Sequence, residues 1–318
     1  MINVAIDLGG TRTKVGIVKN DELIGYLIED SSSQESFTVS IENLTIQINN
    51  LLADKNIDKS EVSGIGLAFA GLVDVKENKV ISTNEKYNQA IEFDFTKWVL
   101  ENWDGIFKIE NDARAAIIGE WKYGVGKGID DIVMMTIGTG IGGVAIVEGK
   151  PLRGKHFQAG VLGGHSTINF KGDLCTCGNI GCVESEASTW KLNELVKNHN
   201  KLDESILANI DIVDYKTLFD AARDKDATAI EIMTHSLRAW ATGVVNMIHA
   251  YDPEIAILHG GVMKSEDIII PFIQDYVNKY AWTPWGTVKI AKSSSLENAA
   301  LLGMNYLCKS DNEKGLND

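Results

Sequence analysis

The chain has 318 residues, 44% of them hydrophobic and 23% charged, enough apolar content for a large core and, at this length, for two domains. A formal net charge of −14 with no block of Lys or Arg excludes a general nucleic-acid surface. No apolar run approaches the ~20 residues of a membrane span, and Met1–Asp7 enters a strand with no charged n-region or apolar h-region, so a cytoplasmic protein without a membrane partner is expected.

Val4–Asp7 reads as a short strand, Gly9-Gly10-Thr11 as a turn and Lys14–Val18 as a return strand, a β-hairpin with a glycine tip. A helix follows over 41–52, then an apolar strand at Ile65–Ala70 ending in Gly71, and another at Ile106–Ile109. Glu110-Asn111-Asp112 comes next, before a helix over Ala113–Trp121, so Asp112 stands where a strand hands over to a helix. The hairpin then recurs: Ile132–Thr136 is a strand, Gly138-Thr139-Gly140-Ile141-Gly142-Gly143 a turn and Val144–Val147 the return. Two such units point to two domains of related design. Thr189–Tyr251 is mostly helical until Asp252-Pro253, and Glu254–His259 is a strand ended by Gly260-Gly261. A helix over 267–280, a strand over 288–290 and a last helix over 296–307 precede a polar tail expected to fray after Cys308.

Three of the four cysteines fall in Cys175-Thr176-Cys177-Gly178-Asn179-Ile180-Gly181-Cys182, downstream of His165. Three soft thiolates and one imidazole suit tetrahedral zinc, and with all four positions supplied by protein the ion is structural and not catalytic. Three cysteines cannot pair among themselves and a Cys-x-Cys pair has poor geometry for a bridge. Thiolate ligands also agree with a reducing compartment.

Gly138-x-Gly140-x-x-Gly143 has the form of a dinucleotide fingerprint, but that motif needs a helix after the glycines, and here Val144, Ile146 and Val147 continue as a strand. Convergent backbone N–H groups of a glycine hairpin can still hold phosphate, with the Thr136 and Thr139 hydroxyls nearby; otherwise the glycines only make a tight turn. The first hairpin adds Asp7, Thr11 and Lys14, of which Lys14 suits a phosphate and Asp7 a water-mediated Mg²⁺. Asp112 is a candidate general base or, equally, the N-cap of its helix.

Together these segments resemble the ROK family of sugar kinases and repressors, within the actin-like, hexokinase-like ATPase superfamily, over nearly the whole chain. Asp7–Lys14 is similar to the family's first phosphate motif, Glu110-Asn111-Asp112 to its catalytic segment and Thr136–Gly143 to its second phosphate motif. Gly164-His165 with Cys175, Cys177, Cys182 and Glu184 matches its zinc and sugar signature, Gly260-Gly261 its adenosine segment and Leu296–Gly303 the terminal helix that returns to the first domain.

The resemblance implies an α/β fold of two actin-like (ribonuclease H-like) domains with a cleft between them, 1–115 plus 293–318 and 116–292, the second carrying the zinc. It implies ATP- and Mg²⁺-dependent phosphorylation of a sugar hydroxyl with Asp112 as the base, and a homodimer. Asn84, Asn111, His165 and Glu184 would contact sugar hydroxyls, His165 giving one ring nitrogen to zinc and the other to the sugar. Asp7, Gly9, Gly10, Thr11, Lys14, Thr136, Gly138, Thr139, Gly140, Gly260 and Gly261 would surround the nucleotide.

Two departures stand out. Leu162-Gly163-Gly164-His165 replaces the family's Glu-x-Gly-His, which removes a carboxylate that accepts sugar hydroxyls, and Ala70 stands where the family carries proline. The family's repressors carry an N-terminal helix-turn-helix, whereas here the first hairpin begins within a few residues of Met1, so a kinase is expected over a repressor; a non-catalytic sugar sensor is the alternative. Because the phosphate hairpins and the cysteines occupy separate segments, zinc removal is expected to disorder the sugar loop and leave nucleotide binding largely intact.

Overall fold

The computed structural model describes residues 1–9, 12–30, 36–83, 87–295 and 297–315, with side chains to residue 310. Gly10, Thr11, Asn84 and Leu296, singled out above, lie outside the described residues. The chain forms two compact units: Met1–Gly128 with Arg153–Ala159 and Glu297–Asp318, and Ile129–Leu152 with Gly160–Leu296.

In the first unit β1 (Ile2–Leu8) and β2 (Arg12–Lys19) form the glycine hairpin, and β3 (Glu22–Asp30) extends it. Asn20 and Asp21, at φ 52° and 70°, make the left-handed two-residue turn whose twist matches a hairpin. Helix α1 (Phe37–Asp54) starts at Ser36, whose hydroxyl accepts the Val39 N–H, and buries Ile41, Leu44, Ile48, Leu51 and Leu52 at helical spacing. Strand β4 (Val62–Phe69) runs parallel to β1, and β5 (Gly71–Asp74) with β6 (Lys79–Thr83) makes a small separate sheet. Helix α2 (Phe95–Trp103) leads to β7 (Ile106–Asn111), parallel to β4, and β7 passes directly into α3 (Asp112–Tyr123). The sheet order is β3-β2-β1-β4-β7.

The second unit repeats this plan. Strands β8 (Ile132–Ile137), β9 (Ile141–Val147) and β10 (Lys150–Pro151) are antiparallel neighbours. The chain then forms the cysteine loop and helices α4 (Val183–Ala187), α5 (Thr189–Lys197), α6 (Tyr215–Arg223) and α7 (Ala227–Tyr251). Helix α7 ends at Asp252 in the left-handed region, ahead of Pro253, which cannot continue a helix. Strand β11 (Ile255–His259), helix α8 (Glu266–Tyr280) and strand β12 (Lys289–Lys292) complete the order β10-β9-β8-β11-β12, with β11 parallel to both neighbours. Both sheets therefore carry three antiparallel strands followed by two parallel ones. Fully buried Trp240 sits in the core of this unit, its indole N–H donating to the Ala187 carbonyl at 2.9 Å.

Helix α9 (Ala299–Gly315) returns to the first unit and packs along α3. The first unit runs to Gly128 and not to residue 115, because α3 packs on α9, which belongs to that unit. The expected fraying after Cys308 is corrected: polar composition there does not stop the helix, which runs on to Gly315. No helix among the described residues is long and apolar enough to cross a membrane.

Candidate active site

Strands β1, β4 and β7 end side by side, with Asp7 level with Ala68 and Ala68 level with Glu110. That register brings Asp7, Lys14 and Asp112 to one edge of the sheet. Asn111, not Asp112, caps α3: its Oδ1 accepts the Arg114 N–H at 3.1 Å. Asp112 opens the helix, and its Oδ1 accepts from Asn111 Nδ2 at 2.9 Å and from the Ala113 N–H at 2.8 Å. Burial, and then the negative charge of Asp7, push the Asp112 carboxyl up to about 6, against the downward pull of those two hydrogen bonds. Burial also raises Asp7, while Lys14 draws it down. The Lys14 ammonium lies 4.0 Å from Asp7 Oδ2 and donates to the Glu297 carbonyl at 2.6 Å. The second proton of Asn111 Nδ2 goes to the Gly71 carbonyl at 3.1 Å, so Asn111 retains one lone pair for any sugar hydroxyl.

Behind Asp112 lies a network that motif reading did not find. Glu110 is fully buried and takes the Arg114 guanidinium at 2.8 Å, the Arg153 guanidinium at 2.6 Å and the Asn111 N–H at 2.9 Å. Arg114, 1% exposed, also donates to the carbonyls of Phe157 and Ala159 at 3.1 and 3.2 Å. A buried carboxylate so saturated has no capacity left for chemistry, and it fixes the backbone immediately before Asp112. Glu110 ends a strand while Arg114 is on a helix and Arg153 lies far along the chain, so no spacing rule signalled either partnership.

In the second unit β8 and β11 are neighbours, with Thr136 beside His259, so the 138–140 turn and Gly260-Gly261 meet at one sheet edge. A Cβ on Gly261 would meet nothing within 4 Å, and one on Gly138 nothing nearer than 3.9 Å; neither has the positive φ that demands glycine. Neither packing against the described residues nor backbone conformation requires glycine here, so the two positions leave bare backbone open. Thr136 Oγ1 beside them is buried with no hydrogen-bond partner among the described residues. Thr139 is exposed at the tip.

The ligand atoms of His165, Cys175, Cys177 and Cys182 all lie within 4.8 Å of one another. Cys175 Sγ is 3.5 Å from His165 Nδ1, and Cys177 Sγ is 3.7 Å from Cys182 Sγ. A tetrahedral zinc with bonds of about 2.0–2.3 Å gives edges of about 3.3–3.8 Å, so these two separations match that ion and the donor set is compatible with it. Burial and the neighbouring thiols push the Cys182 thiol up to about 12, and a dication is what would let such a cluster hold its thiolates. It is the Nδ1 side of the His165 ring that is turned to the cysteines.

Leu162 is 40% exposed and forms a parallel bridge with Gly143 of β9. The segment after it lies against β9 so closely that a Cβ on Gly164 would fall 1.7 Å from the Ile141 carbonyl oxygen. Glu184 is not a solvated acid: it is 8% exposed, with Oε2 accepting the Ile141 N–H at 2.8 Å and Oε1 the Thr176 hydroxyl at 3.2 Å.

The sequence profile described as "ROK family" matches residues 3–311. A glucokinase of Thermotoga maritima is 29% identical over 312 residues, 96% of each chain. A xylose repressor of Bacillus spizizenii is 28% identical over 245 residues, 77% of this chain and 60% of the repressor. The crystal structure of a ROK family glucokinase from Streptomyces griseus, in complex with glucose and AMPPNP, superposes with a TM-score of 0.80 at 24% identity, over 98% of this chain and 100% of that one. The two-domain actin-like α/β fold is thus shared with solved relatives, and a profile match over almost every residue places the chain in the ROK family.

Proposed function

We propose that this protein phosphorylates a sugar hydroxyl at the expense of ATP. The observation that carries the reading is Asp112: a carboxylate at the strand–helix junction, lifted to about 6, close to the pH at which a general base works. In the proposed step the sugar hydroxyl gives its proton to Asp112 while its oxygen attacks the γ-phosphorus, and the bond from that phosphorus to the β,γ-bridging oxygen breaks to release ADP. The open glycines at 138 and 261, the partnerless Thr136 hydroxyl and Gly260 support a nucleotide on the second unit, and Lys14 supports a phosphate contact on the first. Gly9, Thr139 and Gly140 belong to the same two hairpin turns. The negative charge of Asp7 raises the carboxyl of Asp112, as a carboxylate close by does, and Asp7 would hold the Mg²⁺ that neutralises charge on the phosphates.

His165, Glu184, Asn111 and Asn84 are assigned to the sugar, with the Cys₃His zinc ordering the loop that presents His165. Leu162 removes an acceptor from that set, so a plain aldohexose is expected to be a poor substrate. A homodimer and a cytoplasmic setting belong to the same reading.

A panel of hexoses, N-acetylhexosamines and ketoses assayed for ADP release with Mg·ATP tests the proposal, the expected result being sugar-dependent turnover with one class. Leu162 also leaves room for a second reading, a sugar-binding regulator. Tight binding of a sugar with no ADP formed across the panel would establish that reading and sink the first.

A further inference from the structure

Two segments of the second unit converge on the backbone of one residue, Ile141. Its N–H is held by Glu184, and its carbonyl is covered by the backbone of Gly164. The other oxygen of Glu184 is held by Thr176, which lies between the ligands Cys175 and Cys177. Cys182 is the N-cap of α4, and the start of α5 beyond it grips the far side of the same turn: the N–H of Thr189 donates to the Gly138 carbonyl at 3.2 Å and that of Trp190 to the Thr139 carbonyl at 3.3 Å. Every one of these outside bonds to the 138–141 turn comes from a residue that follows the cysteine loop or lies inside it.

We infer that the Cys₃His loop sets the geometry of the nucleotide-phosphate turn as well as that of the sugar loop, with Thr176 and Glu184 as positioning residues. The inference rests on reading 138–141 as a phosphate site. It reverses the expectation drawn from sequence separation, since segments far apart along the chain share a single carboxylate. Glu184 Oε2 lies 2.5 Å from where a Cβ on Gly140 would stand, so the carboxylate sits directly against the turn. When the loop loosens, Thr176 withdraws, one oxygen of a buried carboxylate loses its donor, and the bond to Ile141 loses its fixed direction.

The test measures binding of Mg·AMPPNP by calorimetry without sugar, zinc content, and amide hydrogen exchange over 136–143. Wild type, Thr176→Val, Thr176→Ser and Cys177→Ser are compared as full-length protein. Thr176→Val keeps its zinc, binds nucleotide roughly tenfold more weakly and exchanges faster over 136–143, while Thr176→Ser restores both. Cys177→Ser loses zinc and shows a larger effect on the same readouts. Unchanged exchange and affinity in Thr176→Val and in zinc-free Cys177→Ser would overturn the inference. If wild type itself binds no nucleotide, the kinase reading fails, while the exchange rates still decide whether the loop and the turn are coupled.

Discussion

Asp112 and Glu184 are both carboxylates in the first turn of a helix, one in each unit, and their surroundings give them opposite capacities. Glu184 has each oxygen engaged, by a backbone N–H and by a hydroxyl, so it is fixed against Ile141 and Thr176 while keeping a lone pair on each oxygen for a sugar hydroxyl. Among the described residues Asp112 accepts on Oδ1, from its immediate neighbours, and it is half-buried beside a second negative charge. A carboxylate that braces needs donors on both oxygens, and one that takes a proton needs an oxygen left open and an environment that raises its basicity. Glu110, two residues before Asp112, extends the lesson: buried between two guanidiniums, it can only be structural.

The sharpest way to break this contrast is to remove charge without changing shape. Asp112→Asn should retain sugar binding and lose kcat by about 10²–10⁴-fold, the contribution of a positioned general base. Turnover at the wild-type rate would take Asp112 out of the reaction. Glu184→Gln is expected to act differently, raising KM for sugar and for ATP by roughly tenfold with a smaller change in kcat, and lowering stability by about 1–3 kcal/mol. A loss confined to kcat would show that Glu184 is no brace.

Substrate choice sharpens the contrast on the sugar side. A hydroxyl facing Leu162 lacks an acceptor at a cost of roughly 1–3 kcal/mol, so Leu162→Glu should improve kcat/KM for glucose relative to the preferred sugar by about tenfold. Glucose as the best substrate of the unmodified protein would contradict the role given to the leucine.

The smallest expected effect is a displaced titration. Log kcat/KM should rise to a midpoint near pH 6 and level off above it, because the base must be unprotonated. Asp7→Asn removes the neighbouring charge and should move that midpoint downward. The folded protein holds the Asp112 proton more tightly than the unfolded chain, whose carboxyl titrates near 3.8, so this group's contribution to stability is present below that pH and is lost as pH rises through about 6. Asp112→Asn should therefore be as stable as wild type in acid and more stable at neutral pH, by at most roughly 3 kcal/mol, which thermal unfolding across pH would measure.

The glycine hairpins, the strand–helix junction at Asp112 and the histidine and cysteine ligand set were legible in the sequence because each is a local pattern of residue types. Strand β3 was missed although Asn20-Asp21 is a strong hairpin turn, since its exposed, mixed face lacks the apolar alternation of a half-buried strand. The Arg153–Glu110 pair and the Thr176–Glu184–Ile141 relay were illegible for another reason. No spacing rule joins residues that only a folded backbone brings together. Asp112 was equally readable as a helix cap until Asn111 was found to hold that position.

Helices α3 and α9 approach so closely that a Cβ on Gly119 would fall 2.0 Å from the Ala299 carbonyl oxygen, and one on Gly303 would fall 1.9 Å from that of Ala115. Since α9 belongs to the same compact unit as the first strands, the ribosome makes the opening of that unit long before it makes the helix that seals it. The sheet of that unit therefore stays without this helix until residues 299–315 have been synthesised, an interval in which the apolar surface that α9 later covers is exposed to wrong contacts.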